Sequence, residues 1–253
     1  MNTDGLIAIL MAPFIGSFLG VIVDRLPEGR TVLADRSACD ICGQTLGPLE
    51  LLPIAAYLWQ RGRCRNCKGT LRSFYPLIEL AAMAVATSAA LVLSGWLLWV
   101  SLYLGWGLLT LGAIDARHKI LPDPINLPLI PVGLGVTWLH SPDQLGTHVV
   151  GAILGFLILA AIAWTYRRFR KRDGLGLGDA KLLSAGGAWL GWAPLPGLLV
   201  VAALSALIIV LARAVFGDRL GSTDEIAFGP FLALAFWASW LLGPIILFQG
   251  IGT

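Results

Sequence analysis

Polar residues are sparse along this chain and fall in clusters that separate long apolar runs. The runs lie near residues 5–23, 73–94, 96–114, 124–140, 146–166, 180–193, 196–216 and 227–249. A helix needs about 20 apolar residues to cross about 30 Å of hydrocarbon, somewhat fewer where neighbours bury its polar ends. Only the sixth run, short and rich in glycine, falls well below that length. The pattern predicts an all-α polytopic membrane protein with about eight transmembrane helices. It divides the chain into a first transmembrane anchor at 1–23, a small polar domain at 24–72 and a seven-helix membrane domain at 73–253.

Composition removes the soluble alternative. With 57% hydrophobic residues, 13% charged and a mean hydropathy of +0.79, a chain of 253 residues cannot hide its apolar surface in one core. Charge then sets the orientation. All 18 Lys and Arg fall within 25–72, 115–123, 167–181 and 213–226, and the alternate connections carry none. The positive-inside rule places those four segments in the cytoplasm and both termini outside it, which suits an even number of spans. No Lys or Arg precedes the first run, and Arg25 follows it, so an uncleaved anchor inserted N-terminus outward is expected. Gly16-Ser-Phe-Leu-Gly20 and Gly151-Ala-Ile-Leu-Gly155 predict close helix packing. The net charge of +3 follows from the topology, and no nucleic-acid partner is expected.

The polar domain holds all four cysteines, as Cys39-Asp-Ile-Cys42 and Cys64-Arg-Asn-Cys67, with 21 residues between the pairs. Two such pairs can complete a tetrahedral sulfur site for zinc. Two disulfides are the alternative, and a reducing cytoplasm argues against them. Gly43 and Gly69 are expected to form the sharp turns after each pair. With Cys39, Cys42, Cys64 and Cys67 all as ligands, no position is left open. The zinc is therefore expected to be structural, a clip for a domain too small for an ample core.

Two carboxylates carry the candidate chemistry. Asp115 lies in Gly112-Ala-Ile-Asp115-Ala-Arg-His-Lys, and Asp179 in Gly176-Leu-Gly178-Asp179-Ala-Lys. Each sits where an apolar run meets a basic stretch, a place where an unused charge is costly. A pair of carboxylates at similar depth on different helices suits acid/base hydrolysis of a peptide bond. Simpler roles exist for each: Asp179 as a helix N-cap, Asp115 as a solvated helix end, Asp123 as a turn former. Gly176 and Gly178 would let a substrate strand approach the aspartate. His118 reads as interfacial, Lys181 as reaching toward the headgroups, and the basic run 167–172 as a topology signal. Asp224 and Glu225 read as part of a solvated loop.

Together these residues resemble the type IV prepilin peptidases. Gly-Leu-Gly-Asp179 is similar to the glycine–aspartate signature of membrane aspartic peptidases. Asp115 with Lys119-Ile-Leu-Pro-Asp123, the cysteine pairs, Arg61-Gly-Arg-Cys64, Gly16-Ser-Phe-Leu, Arg25-Leu-Pro27, Tyr75-Pro-Leu-Ile-Glu79-Leu and Ala227-Phe-Gly-Pro230-Phe recur in that family's order. The resemblance implies that Asp115 and Asp179 are the catalytic pair, one a general base on water, the other a protonated acid on the scissile carbonyl. It implies prepilin or type II pseudopilin substrates, cut after a glycine between a basic leader and an apolar N-terminal helix. The site would lie at the cytoplasmic face of the bacterial inner membrane, among membrane lipid.

Many members of that family also methylate the new N-terminus with S-adenosylmethionine. Here Gly20 and Leu51 stand where the family usually has Asn. The loss of two amides predicts a mature product with a free amine, and no cofactor-binding residue is assigned. Two other readings compete: a membrane methyltransferase with structural aspartates, and a non-enzymatic transporter or assembly scaffold. Against the scaffold, both aspartates lie at the membrane edge rather than across its midplane.

Overall fold

The structure, a computed structural model, describes residues 2–32, 37–170, 176–216 and 227–243, with the backbone alone at Pro48 and Arg170. Asp224, Glu225, the end of the 167–172 basic run and the end of the eighth apolar run lie outside the described residues. Each predicted run coincides with one helix. These are α1 (Thr3–Arg25), α3 (Phe74–Val92), α4 (Gly95–His118), α5 (Asp123–His140), α6 (Leu145–Arg170), α7 (Leu177–Leu190), α8 (Leu195–Val215) and α9 (Gly229–Leu242). A short helix, α2 (Ala55–Trp59), lies in the polar segment. Among the described residues the only β structure is a pair of isolated antiparallel bridges, Ala38 with Thr45 and Arg63 with Thr70.

Five helices are long and apolar enough to cross a membrane: α1, α3, α4, α6 with the turn before it, and α8. The other three are shorter, with 18 residues in α5 and 14 each in α7 and α9. The protein is thus a polytopic, all-helical membrane protein. The chain forms two compact units, Met1–Thr110 and Leu111–Thr253, with α4 running through the boundary.

In the first unit α1 packs on α3. A Cβ at Gly16 would lie 2.6 Å from Glu79 Cα, and one at Gly20 would lie 2.9 Å from the Tyr75 ring. The small-residue motif therefore brings two backbones together, as its spacing predicts. Trp106 Nε1 on α4 donates to Ala82 O on α3 at 3.2 Å.

In the second unit α7 is the inner helix, packed against α5, α6, α8 and α9. From Asp179 to Trp189 every residue except Lys181 is buried. A helix buried all round is apolar all round, and its ends are covered by neighbours rather than lipid, so 14 residues suffice. The second glycine motif makes the α6–α7 contact. A Cβ at Gly151 would lie 2.7 Å from Gly187 O, and one at Gly155 would lie 2.5 Å from Leu183 O. At the other end of α7, Trp189 stacks edge-on against Trp240 with 5.0 Å between rings, and its Nε1 donates to Leu129 O on α5 at 2.8 Å.

Candidate functional site

Asp115 lies in the last turn of α4 and is only 6% exposed. Its Oδ2 accepts a hydrogen bond from Gly229 N at 2.9 Å. Gly229 is the first residue of α9, where free N–H groups and the helix dipole favour a carboxylate. A Cβ at Gly229 would stand 2.7 Å from that same oxygen, so only glycine gives the carboxylate its seat. One turn earlier on α4, Gly112 lets the Pro230 backbone approach, which fixes α9 against α4. The Ala227-Phe-Gly-Pro230 sequence is thus the cradle of Asp115.

Asp179 is the third residue of α7 and is 7% exposed. Gly176, not Asp179, caps the helix, and the aspartate's backbone N–H donates to Gly176 O at 3.1 Å. The N-cap alternative for Asp179 does not describe its position, and the solvated alternative for Asp115 does not fit its burial. Gly178 also differs from expectation. A Cβ there would lie 2.8 Å from Leu121 Cβ, so its missing side chain makes room for the 119–122 connection rather than for a substrate strand. Asp115 is near enough for its charge to be felt at Asp179.

Asn126 was not singled out from the sequence, yet it belongs to this cluster. It is fully buried on α5, and its Nδ2 donates to Gly178 O at 3.0 Å, clamping the turn that carries Asp179. Asn126 Oδ1 and Asp179 Oδ1 are the two buried side-chain atoms without a hydrogen-bond partner among the described residues. Buried polar atoms are nearly always partnered, so two orphan acceptors beside one turn mark a place built for another donor. Lys181, expected to reach for headgroups, instead pairs with Asp123 at 2.6 Å and ties the start of α5 to α7.

The cysteines converge as predicted. The sulfurs of Cys39, Cys42, Cys64 and Cys67 all lie within 4.8 Å of one another, with Cys39 and Cys67 3.9 Å apart. Zn–S bonds of about 2.3 Å in a tetrahedron separate sulfurs by roughly 3.8 Å, so the donor set fits a bound metal. The two knuckles repeat one pattern. Cys39 N donates to Gln44 O at 2.9 Å and Gly43 N to Cys39 O at 2.9 Å; Cys64 N donates to Gly69 O at 2.8 Å and Lys68 N to Cys64 O at 3.0 Å. Gly43 holds the left-handed turn of the first with φ 69°, but in the second that place is taken by Lys68 with φ 58°. Gly69 serves differently: a Cβ there would crowd Cys67 Sγ at 3.3 Å. Backbone N–H groups of Cys42 and Ile41 hold the Cys39 thiol down to about 7. The Gly69 N–H lowers the Cys67 thiol, but desolvation and the three neighbouring thiols outweigh it and push it up to about 11.

Comparison with known proteins gives these arrangements a context. The sequence model described as "Bacterial Peptidase A24 N-terminal domain" matches residues 10–93, which hold the cysteines. The model described as "Type IV leader peptidase family" matches residues 102–211, which hold both aspartates. A protein of Aeromonas hydrophila named prepilin leader peptidase/N-methyltransferase is 35% identical, over 94% of this chain and 90% of its own. Proteins of the same name from Burkholderia pseudomallei and Pseudomonas aeruginosa are 37% and 34% identical, over 96% and 94% of this chain and 87% and 90% of theirs. The chain belongs to the type IV leader peptidase family.

No solved structure matches this leader peptidase. The family's sequence motifs therefore acquire their geometry here from the chain's own packing. The late Phe-Gly-Pro element seats one aspartate, and the Gly-x-Gly-Asp turn is held from α5 by a buried amide.

Proposed function

We propose that this protein is a bifunctional processing enzyme. It cleaves the basic leader of prepilins or pseudopilins with an Asp115–Asp179 dyad and then methylates the new N-terminus. The observation that carries the peptidase is the pair of buried carboxylates at the starts or ends of different helices, one seated on the Gly229 N–H. One proton shared by two carboxylates lets one act as base toward water while the other donates to the scissile carbonyl. Asp179 Oδ1 and Asn126 Oδ1, both lacking a partner among the described residues, are suited to accept from that water or from the substrate amide. The oxygen of the water forms the new bond to the carbonyl carbon, the C–N bond breaks, and the amine leaves with the proton the dyad returns.

The remaining assignments follow. Cys39, Cys42, Cys64 and Cys67 would hold one zinc ion, which with four thiolates is structural. All eight apolar helices span the bacterial inner membrane, α7 as an enclosed span, with both termini outside and the dyad and cysteine domain at the cytoplasmic face. The chain divides functionally into an anchor at 1–23, a zinc domain at 24–72 and a peptidase domain at 73–253. The substrate's basic leader would stay on the cytoplasmic side while its apolar helix lies in lipid.

The lost amides at Gly20 and Leu51 weigh against methylation; the names of relatives covering nearly the whole chain weigh for it. Packing at Gly20 lessens the weight of the first. The space beside Gly20 is filled by Tyr75, whose hydroxyl donates to Asp24 Oδ2 at 2.7 Å and supplies polar function on the same wall. S-adenosylmethionine, when bound, supplies a methyl carbon to the amine lone pair, the C–S electron pair stays on sulfur, and the amine releases a proton. The purified full chain in detergent, given a prepilin-like substrate, should release the leader and, with the cofactor present, a product heavier by one methylene. An intact substrate would overturn the peptidase; a product mass unchanged by cofactor would overturn the methylation.

A further inference from the structure

Residues 61–65 of the cysteine domain read Arg-Gly-Arg-Cys-Arg, an alternation that in extended backbone sends every second side chain the same way. The structure follows it: Gly62 and Cys64 are buried, while Arg61, Arg63 and Arg65 are exposed, as is Lys68 after them. Backbone bonds fix the stretch, Gly62 N donating to Tyr57 O at 2.9 Å and Cys64 N to Gly69 O at 2.8 Å. None of these four cations pairs with a carboxylate among the described residues, whereas Arg72 is taken by Asp24 and Asp40. No Asp or Glu stands between Glu50 and Glu79 to offset them.

The four cations line an open groove of about 760 Å³ whose apolar lining includes Leu49 and Trp59. Leu49 is 67% exposed and Trp59, at the end of α2, is 81% exposed, with Leu58 beside it at 67%. Apolar side chains this bare, gathered beside unneutralised cations, mark an interaction surface. Glu50 is the one carboxylate in the lining, and its Oε2 is held by the Gly47 N–H at 2.8 Å.

The chemistry of this face favours one occupant. The domain leaves α1 at Arg25 and enters α3 at Phe74, both helices apolar enough to cross a membrane, so it is tethered at both ends to a bilayer face. Tryptophan and leucine beside arginine and lysine suit the headgroup region, where cations meet phosphates and apolar groups reach the acyl boundary. A basic leader carries the wrong charge for this groove. We propose that this face docks on the membrane, with Arg61, Arg63, Arg65 and Lys68 on the phosphates of anionic phospholipid and Leu49, Leu58 and Trp59 at the acyl boundary. The proposal stands apart from both enzymatic activities.

Hydrogen exchange read by mass spectrometry on the full chain tests it, in nanodiscs of phosphatidylcholine or of phosphatidylglycerol. Amides in 56–70 should exchange at least about tenfold more slowly in the anionic discs, and the difference should shrink as salt is raised. The triple variant Arg61→Gln, Arg63→Gln, Arg65→Gln should lose that difference, since each cation at an anionic surface favours docking about fivefold. Zinc content equal to the parent's would show that its domain is folded. Crosslinking needs no variant: phosphatidylglycerol with a photoreactive headgroup should label residues 58–68 of the unaltered chain. Equal exchange in the two bilayers, or label absent from those residues, would overturn the proposal. Protection reproduced by inorganic phosphate in phosphatidylcholine discs would give the groove to a free anion and overturn membrane docking as well.

Discussion

Asn126 offers a perturbation whose effects on folding and on catalysis should separate. Asn126 is fully buried; its amide gives one hydrogen bond to Gly178 O and leaves Oδ1 unpartnered among the described residues. Asn126→Leu keeps the branching and the number of side-chain heavy atoms. It loses a bond worth about 0.5–1.5 kcal/mol and strands the Gly178 carbonyl at about 1–3 kcal/mol, but it removes an orphan acceptor whose burial costs about 1–3 kcal/mol. At their midpoints these terms leave a net cost of about 1 kcal/mol, so the folded protein should accumulate normally. Catalysis has no such compensation. Gly178 immediately precedes Asp179, and a displacement of about 1 Å at a catalytic group costs about a hundredfold. Timed release of mature pilin by purified Asn126→Leu should show kcat reduced between about tenfold and a hundredfold with KM little changed, alongside a thermal midpoint close to that of the parent. A folded variant with parental kcat would refute the clamp, and so would a variant whose activity loss merely tracks loss of folded protein.

Three other substitutions probe separate parts of the account. Gly229→Ala puts a methyl where Asp115 Oδ2 sits at 2.7 Å, and should cut leader cleavage at least about tenfold with normal membrane insertion, read by gel assay. Lys68→Gly relieves a left-handed backbone costing about 1–2 kcal/mol and should slow metal loss to a chelator; faster loss would mean that the lysine side chain contributes more than its backbone costs. Cys64→Ser removes a buried ligand, so metal analysis of the purified protein should fall from about one zinc per chain to near none. Retained stoichiometric zinc would move the site elsewhere.

How far the sequence revealed this arrangement depended on the kind of signal. Asp115 and Asp179 stood out because charge at the edge of an apolar run is expensive, and the cysteines because their spacing serves one chemistry. Asn126 escaped because one amide after Pro-Asp-Pro-Ile reads as interfacial; its depth becomes visible only once α5 lies against α7. The same holds for Gly178, whose partner Leu121 is distant in sequence. Glycines at 16, 20, 151 and 155 were legible as packing residues because close approach needs a small residue every fourth position. In the second knuckle the rule failed: the glycine was present, but one residue past the left-handed turn, which Lys68 occupies. Helix number was legible from the apolar runs, whereas span length was not, since α7 shortens inside a sheath of neighbours that hydropathy along one chain does not register.

The central claim is that Asp115 and Asp179 act together as the peptidase dyad. Its most direct test is single-turnover cleavage of a prepilin-like substrate by purified Asp115→Asn and Asp179→Asn, each nearly isosteric and unable to move the proton. Both variants should insert and fold as the parent does, and each should lose at least the factor of about 10²–10⁴ that a positioned acid or base supplies. Near-parental turnover in either variant would take that aspartate out of the mechanism and contradict the account.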